Sequence, residues 1–399
     1  MDTGLPADAG DWSNEAKLLR LRDKSIHEYD LASSASKIGR EQFLLLHIIW
    51  LRPHAPAILH NRHRGRWITN DEHFKQARLF FASGEMASAW KAYLNATAMS
   101  PGQLSKQGYA GLHTFSLVRY HQIQSQGVTF EGGDTVTKLA FTPVARRTRT
   151  QLAIRNEAPT TPTPALGAES SEDVRMFDDS PSTPERSSIA QSPPAGQGDT
   201  FSPLHEEIAK QLKAIQDEQI VNTALILYLD AVTIHCPELE ADWTLHRFPF
   251  ISKDYVGNKT YEARVDGYLK RRSDGEPLVI LEVKPFLREN KPVEIRMQEG
   301  AQMAAWINQH PPPRKRDKAK YRRLLISQDR HEIHLTFASF DDGYVDYICH
   351  KNQQNGGPVF HLAMSEYGPY DVGDSVAMGM LGEIVISYAL EACRKANNK

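Results

Sequence analysis

YEARVDGYLKRRSDGEPLVILEVKPF, residues Tyr261–Phe286, reads as two strands joined by a turn. Leu278–Lys284 is aliphatic and β-branched until it meets two charges, Glu282 and Lys284, which bracket a single valine. Side chains alternate across a strand with a period of two. Leu278, Ile280, Glu282 and Lys284 therefore share one face, and Val279, Leu281 and Val283 the other. Tyr261–Leu269 reads as a second strand, with Glu262, Arg264, Asp266 and Tyr268 on one face and Ala263, Val265 and Leu269 on the other. Between them Arg271–Pro277 is turn material, and Asp274-Gly275 is a pair that suits a hairpin. Such a hairpin puts Asp266 beside Glu282 and Lys284 on neighbouring strands.

The flanks extend this unit on both sides. Glu206–His235 reads as a long helix, with Ile208, Leu212 and Ile215 followed by Val221, Leu225, Tyr228, Leu229 and Val232. Its second half is apolar nearly all round and is expected to be buried. Trp243–Ile251 alternates like a first strand. Val293–Gln309 reads as a helix with Gln298, Gln302 and Trp306 four apart and Met297, Ala301, Ala304 and Ala305 as its apolar side. Leu324–Ser327, His331–Phe337 and Tyr344–His350 read as strands, Tyr367–Asp371 as a turn, and Ser375–Lys395 as a covering helix. The fold class expected is α/β, with an αβββαβ core, extra strands and a C-terminal helix.

An acidic residue on one strand followed by Glu-x-Lys on the next resembles the PD-(D/E)xK nuclease superfamily, including the nuclease-like proteins of fungal genomes. The resemblance spans about Glu206–Ser327, and Val265-Asp266 stands where many members have Pro-Asp. It implies a restriction-endonuclease-like fold and a divalent-metal-dependent nuclease that hydrolyses phosphodiester bonds, DNA favoured. Asp266 and Glu282 would be ligands of Mg²⁺ or Mn²⁺, whose hard oxygen preference they meet. Lys284 would orient water or neutralise charge on the phosphate. The first helix of the superfamily often adds an acid to the metal site; Glu218 is the candidate here, with Glu207 behind it, against an ordinary exposed helix acid. RecB-like members place a glutamine on the helix after the Glu-x-Lys strand. Gln298 resembles that position, and Gln302 is its rival. The alternative function is a nuclease-fold module without turnover that binds nucleic acid or a protein. A plain Glu282–Lys284 ion pair on a surface strand would need neither.

His310–Arg323, HPPPRKRDKAKYRR, sets Arg314, Lys315, Arg316, Lys318, Lys320, Arg322 and Arg323 against Asp317. Phosphate contact, nuclear import and a solvated loop all suit such a tract. A nuclear location is expected on that basis.

The first third reads helical: Ser13–Leu31, Ser36–Leu51, a segment opened by a capping box at Thr69 and Glu72, Ala87–Met99 and Leu104–Gln124. Arg62, Arg64 and Arg66 beside Trp67 suit phosphate contact with base stacking, or a solvated loop. His60 and His63 are read as core or surface histidines in preference to metal ligands. From Thr142 the chain is rich in Pro, Ser, Thr and Glu and poor in aliphatics, with Arg146, Arg147 and Arg149 at its start. Too little apolar surface is available there to offset chain entropy, so disorder is expected. Thr161, Thr163, Ser180, Thr183, Ser192 and Ser202 each precede proline, as proline-directed kinases require. The expected organisation is a helical region over 1–127, a linker over 128–204 and the α/β domain over 205–399.

Composition narrows the function class. A 399-residue chain of formal charge −2 has no global field that attracts a polyanion, so any nucleic-acid contact must be local. Cys236, Cys349 and Cys393 stand far apart with no CxxC spacing, against a zinc ribbon or disulfide scaffold. MDTGLPADAGDW has no basic stretch leading into an apolar one, so no signal peptide is expected. The apolar run Phe43–Leu51 is too short for a bilayer. An intracellular protein without a membrane partner is the expectation.

Overall fold

The computed structural model describes residues 4–27, 29, 34–128, 203–314, 320–349 and 359–397, with the side chains of 203–212, 214 and 397 set aside. The expected linker disorder, Arg146, Arg147, Arg149, the Ser/Thr-Pro sites, the side chain of Glu207, and Lys315, Arg316 and Lys318 lie outside the described residues.

Before the gap come helices α1 (Ala9–Leu18), α2 (Arg40–Leu45), strand β1 (Ile48–Trp50), short α3 (Pro56–Ile58) and α4 (Arg64–Trp67), then α5 (Asp71–Ala82), α6 (Gly84–Thr97), α7 (Pro101–Gln107) and α8 (Ser116–Gly127). After it come α9 (Pro203–Thr233), β2 (Ala241–Thr244), β3 (Pro249–Lys253), β4 (Lys259–Arg264), β5 (Gly267–Arg271), β6 (Pro277–Lys284), α10 (Pro292–Gln309), β7 (Tyr321–Asp329), β8 (Glu332–Phe340), α11 (Asp342–Cys349), β9 (Leu362–Asp371) and α12 (Ser375–Asn397). The architecture is α/β: a mixed C-terminal sheet flanked by helices and preceded by a mostly helical N-terminal region.

Among the described residues seven strands form one sheet in the order β1-β9-β8-β7-β6-β5-β2, and β3 pairs with β4 in a separate ribbon. β6 runs antiparallel to β5 and parallel to β7, the α10 crossover joining the parallel pair. One face carries Val279, Leu281, Val283, Leu324, Ile326, Leu335 and Phe337 against α5–α9 and α12. The other carries Ile280, Leu325, Ala338 and Met364 against α1, α2, α10 and α11. The alternation read for β6 holds from Val279 onward, while Leu278, read on the Ile280 face, packs with the opposite core. α12 is long and apolar enough to cross a membrane by length and composition alone, yet 72% of that stretch is buried inside the protein. It is a core helix, covering the sheet as expected.

The N-terminal region is built into the same unit. The described residues within 1–128 and 213–397 form one compact body. β1 pairs in parallel with β9 through Ile48↔Leu362 and Trp50↔Met364, and Trp67 stacks on Phe337 of β8 at 4.8 Å. The 127/205 boundaries therefore divide the sequence and not this folded body.

Several expected elements differ. Trp243–Ile251 and Tyr261–Leu269 are each two strands, β2/β3 and β4/β5, which change sheets at 245–248 and 265–266. At this crossing Pro249 supplies no N–H, and Gly267 passes so close to β2 that a Cβ would lie 2.6 Å from the Thr244 carbonyl oxygen. The alternation slips there: Ala263, Val265 and Tyr268 share one core while Leu269 belongs to the other. Tyr344–His350 is helix α11 over 342–349, its buried Tyr344, Val345, Tyr347 and Ile348 matching a helical face. Tyr367–Asp371 lies inside β9, where the β8 ladder is irregular between Ile333 and Leu335 and so accommodates Gly368-Pro369. Ser13–Leu31 stops as a helix at Leu18, followed by Arg20 at φ 55, and leaves Leu18 and Leu19 exposed. Ser36–Leu51 includes strand β1. Asn70, not Thr69, caps α5 by accepting from the Glu72 N–H; the Thr69 hydroxyl donates instead to Glu391 at 2.7 Å.

Candidate active site

The switch between the ribbon and the large sheet places Asp266. Its N–H donates to the Leu281 carbonyl at 2.9 Å, and its Oδ2 accepts from the Val283 N–H at 3.0 Å. The carboxylate is thereby clamped to β6 from both ends of a short backbone stretch. Gly267 pairs with Leu281, so Asp266 stands across from Glu282 on the same side of the sheet. Glu282 and Lys284 lie two apart on β6, and the Lys284 ammonium is bonded to Glu282 Oε1. Both are buried, as is Asp266. The ion pair is not a surface pair: all three charges stand inside the protein, where desolvation is costly unless they are neutralised together.

α10 lies over this face and supplies two further donors to Glu282. Gln298 Nε2 donates to Glu282 Oε1, and Gln302 Nε2 donates to Oε2 at 2.6 Å. The two glutamines are not rivals; spaced by one helical turn, they bracket one carboxylate. Gln302 also donates to the Arg264 carbonyl at 2.8 Å, at the end of β4.

Glu218 on α9 joins from the opposite side through an arginine that sequence reasoning passed over. Arg247 Nη2 lies 2.8 Å from Asp266 Oδ1 and 3.2 Å from Glu218 Oε1. Three carboxylates thus face two cations, Arg247 and Lys284. Burial, then the charges of Glu282 and Glu218, push the Asp266 carboxyl up to about 7 against the pull of Lys284 and Arg247. Burial works against the Lys284 ammonium, but Glu282, Asp266 and Glu218 outweigh it and hold its pKa above the ordinary lysine range. With Asp266 protonated the two remaining carboxylates balance Arg247 and Lys284; once it ionises the anions outnumber the cations three to two, which favours a further cation.

Hard carboxylate oxygens are the donors that Mg²⁺ and Mn²⁺ take, so Asp266 and Glu282, with Glu218 beyond Arg247, fit such an ion by chemistry. As folded, the chain fills their valences itself: both oxygens of each of Asp266 and Glu282 have a donor or ion-pair partner within the protein. Among the described residues no group of three or more His, Cys, Asp or Glu side chains is arranged to hold a metal.

A second buried charge network continues along the same face. Arg288 binds Asp329 at 2.6 Å, the Ser327 hydroxyl at 2.7 Å, Glu366 at 2.9 Å, and Glu299 of α10. Arg296, also on α10, binds Glu366 through both Nε and Nη2, and Trp50 Nε1 donates to Glu366 at 3.2 Å. Burial opposes ionisation of Glu366, yet Arg288 and Arg296 hold it well below the carboxylate range. Burial raises the Glu299 carboxyl to about 7 despite Arg288. Since Ser327 and Asp329 pair with Glu282 and Lys284 across β6 and β7, this network seats the first half of α10 and so aims Gln298 and Gln302. Charged residues inside β-runs, such as Asp329, His334 and Glu366, were the available sequence signal.

The remaining candidates are dispersed. Arg314 is exposed and pairs with Asp346 of α11 at 2.6 Å, and Lys320 is exposed at the start of β7. Arg62 and Arg66 are exposed, while Arg64 lies 4.0 Å over the Phe74 ring and pairs with Asp71. Trp67 is buried between Phe337 and the Tyr367 hydroxyl, to which its Nε1 donates at 3.0 Å. No base can stack on it, which corrects the stacking expectation for the 62–67 cluster. His60 binds Glu383 at 2.8 Å and His63 the Tyr367 hydroxyl at 3.0 Å, so the HxxH pair serves two separate structural contacts.

No protein-family model, curated protein or solved structure matches this chain.

Proposed function

We propose that this chain is a divalent-metal-dependent nuclease of the PD-(D/E)xK kind, hydrolysing phosphodiester bonds in nucleic acid, with DNA favoured. The observation that carries the reading is the convergence on one sheet face of Asp266, Glu282 and Lys284 with Gln298 and Gln302 above them. A surface ion pair would need neither the buried aspartate nor the two glutamines. Asp266 and Glu282 are the residues that would hold Mg²⁺ or Mn²⁺, with Glu218 as the additional acid. The ion, when bound, supplies Lewis-acid polarisation of a phosphate and a bound water of lowered pKa.

The chain's own groups have separate tasks. Gln298 and Gln302 fix the orientation of the Glu282 carboxylate, so its geometry is set before any ligand arrives. Lys284 stays protonated and offers fixed positive charge to a phosphate. Arg314, Lys315, Arg316, Lys318 and Lys320, and Arg62, Arg64 and Arg66, are proposed phosphate contacts along the nucleic acid. A nuclear location goes with the basic tract around Arg314.

One observation favours a second reading, a nuclease-fold module that binds without cutting. The carboxylate oxygens of Asp266 and Glu282 are already engaged by groups of the chain. Purified protein incubated with single- and double-stranded DNA and RNA, in Mg²⁺, Mn²⁺ or EDTA, separates the two. Cleavage in metal that EDTA abolishes supports the nuclease. Binding without cleavage under all conditions supports the module.

A further inference from the structure

The segment 245–248, where the chain leaves the large sheet, carries Arg247 back over the site. Its side chain is 41% exposed, whereas that of Asp266 beneath it is 4% exposed. The guanidinium therefore spans from solvent to the buried carboxylate, touching Glu218 at 3.2 Å on the way. It is the outermost cation of the cluster. Lys284 lies deeper, with its side chain 10% exposed and bonded to Glu282. Arg247 is therefore the more solvent-exposed of the two cations that face Asp266.

An arginine in this position does what a metal ion would do: it neutralises Asp266 and Glu218 together. It also has a feature that a permanent structural cation lacks. Both of its carboxylate partners contact a single nitrogen, Nη2. Its polar contacts are to the Glu218 and Asp266 side chains, so it can rotate outward about its flexible stem without breaking a main-chain contact.

We propose that Arg247 is a displaceable counter-ion, which a divalent cation replaces on Asp266 and Glu218 and which then binds a phosphate of the nucleic acid. This rests on the metal-dependent reading of the site and adds its regulation. Loading of metal and engagement of substrate become coupled. A cation arriving alone must compete with the guanidinium, whereas a cation arriving with nucleic acid gives the guanidinium a new anion.

The test is calorimetric titration of Mn²⁺ into the full-length protein without nucleic acid, comparing wild type, Arg247→Ala and Arg247→Gln, with Asp266→Asn as the blank. Removing the competing charge should tighten Mn²⁺ binding by about two- to fivefold in both Arg247 variants, the range of a partly exposed ion pair. Arg247→Gln keeps a hydrogen-bonding side chain, so melting curves of the two variants show whether either has lost the fold. In Ca²⁺, Arg247→Ala should bind a short DNA duplex more weakly than wild type, with a salt slope lower by roughly one. Equal or weaker Mn²⁺ binding by folded Arg247 variants would overturn the proposal and leave the metal reading intact. Unchanged DNA affinity and salt slope would overturn the phosphate step. Mn²⁺ binding no better than that of Asp266→Asn in every protein would overturn the metal reading and this proposal with it.

Discussion

Gln302 Nε2 lies 2.6 Å from Glu282 Oε2 and 2.8 Å from the carbonyl oxygen of Arg264. One amide on α10 thus ties the carboxylate on β6 to the end of β4, next to the turn that carries Asp266. The site is held by side chains of the crossover helix as well as by the strands. Gln302→Ala leaves a buried carboxylate oxygen without its donor, at a cost of about 1–3 kcal/mol. Urea denaturation should show that loss, and Gln302→Ala with wild-type stability would mean that the amide does not anchor Glu282.

Asp266 gives the protein a specific pH response. Its carboxyl is raised from 3.8 to about 7 by burial and by Glu282 and Glu218. Between these values the folded state keeps a proton that the unfolded state releases. The contribution of this group to stability is full below about pH 4 and falls as pH rises through 7. Asp266→Asn removes that fall. The variant should gain on wild type from pH 5 to about pH 7 and level off above it, by roughly 1–3 kcal/mol in total. Denaturation at pH 5, 6, 7 and 8 checks this, and a constant difference across the series would contradict it.

Arg288 is the arginine shared by Glu299, Asp329 and Glu366 at the seat of α10, with Arg296 also on Glu366 and His334 3.9 Å from Asp329 and 3.8 Å from Glu366. Arg288→Met keeps the bulk of the stem and strands two buried carboxylates. A loss of about 3–5 kcal/mol is expected. Cleavage should also drop in protein that remains folded, since Gln298 and Gln302 ride on the same helix. A loss below about 1 kcal/mol would show that the network is not what seats α10.

A chain cut anywhere between 129 and 202 should stay together. β1 is a strand of the large sheet, Trp67 stacks on Phe337, and the Tyr344 hydroxyl donates to the Leu46 carbonyl at 3.0 Å. Mild proteolysis should give two bands on a denaturing gel that co-elute from a native sizing column. Separate elution of the fragments would contradict a shared core.

Much of this was legible before the fold was known, for identifiable reasons. β6 announces itself because two charges interrupt an aliphatic run, and α10 because Met297, Ala301, Ala304 and Ala305 mark a helical side above those charges. Asp266 is legible as the acid on the strand run before Glu282-x-Lys284, although that run is two strands in the structure. What stayed hidden depends on contacts far apart in sequence. Three residues of strand at Ile48–Trp50 have too few positions to show a period and are fixed only by β9. Val345, Tyr347 and Ile348 suit a strand by residue type, and only packing makes 342–349 a helix. Gly368-Pro369 reads as a turn unless the irregular ladder beside it is known. Arg247 sits at 245–248 within a run that reads as one alternating strand, and nothing there signals that two carboxylates converge on it.

The central claim is that Asp266, Glu282 and Lys284 act together on a phosphodiester through a bound divalent ion. Its most direct test is the cleavage rate of wild type beside Glu282→Gln and Lys284→Ala, on DNA in Mg²⁺, with melting curves confirming that each is folded. The account predicts cleavage by wild type that EDTA stops. Glu282→Gln, which keeps the shape and removes the charge, should fall by at least about a hundredfold, as loss of a key electrostatic group does. Lys284→Ala should lose rate while still binding Mn²⁺. Full cleavage by folded Glu282→Gln would contradict the account.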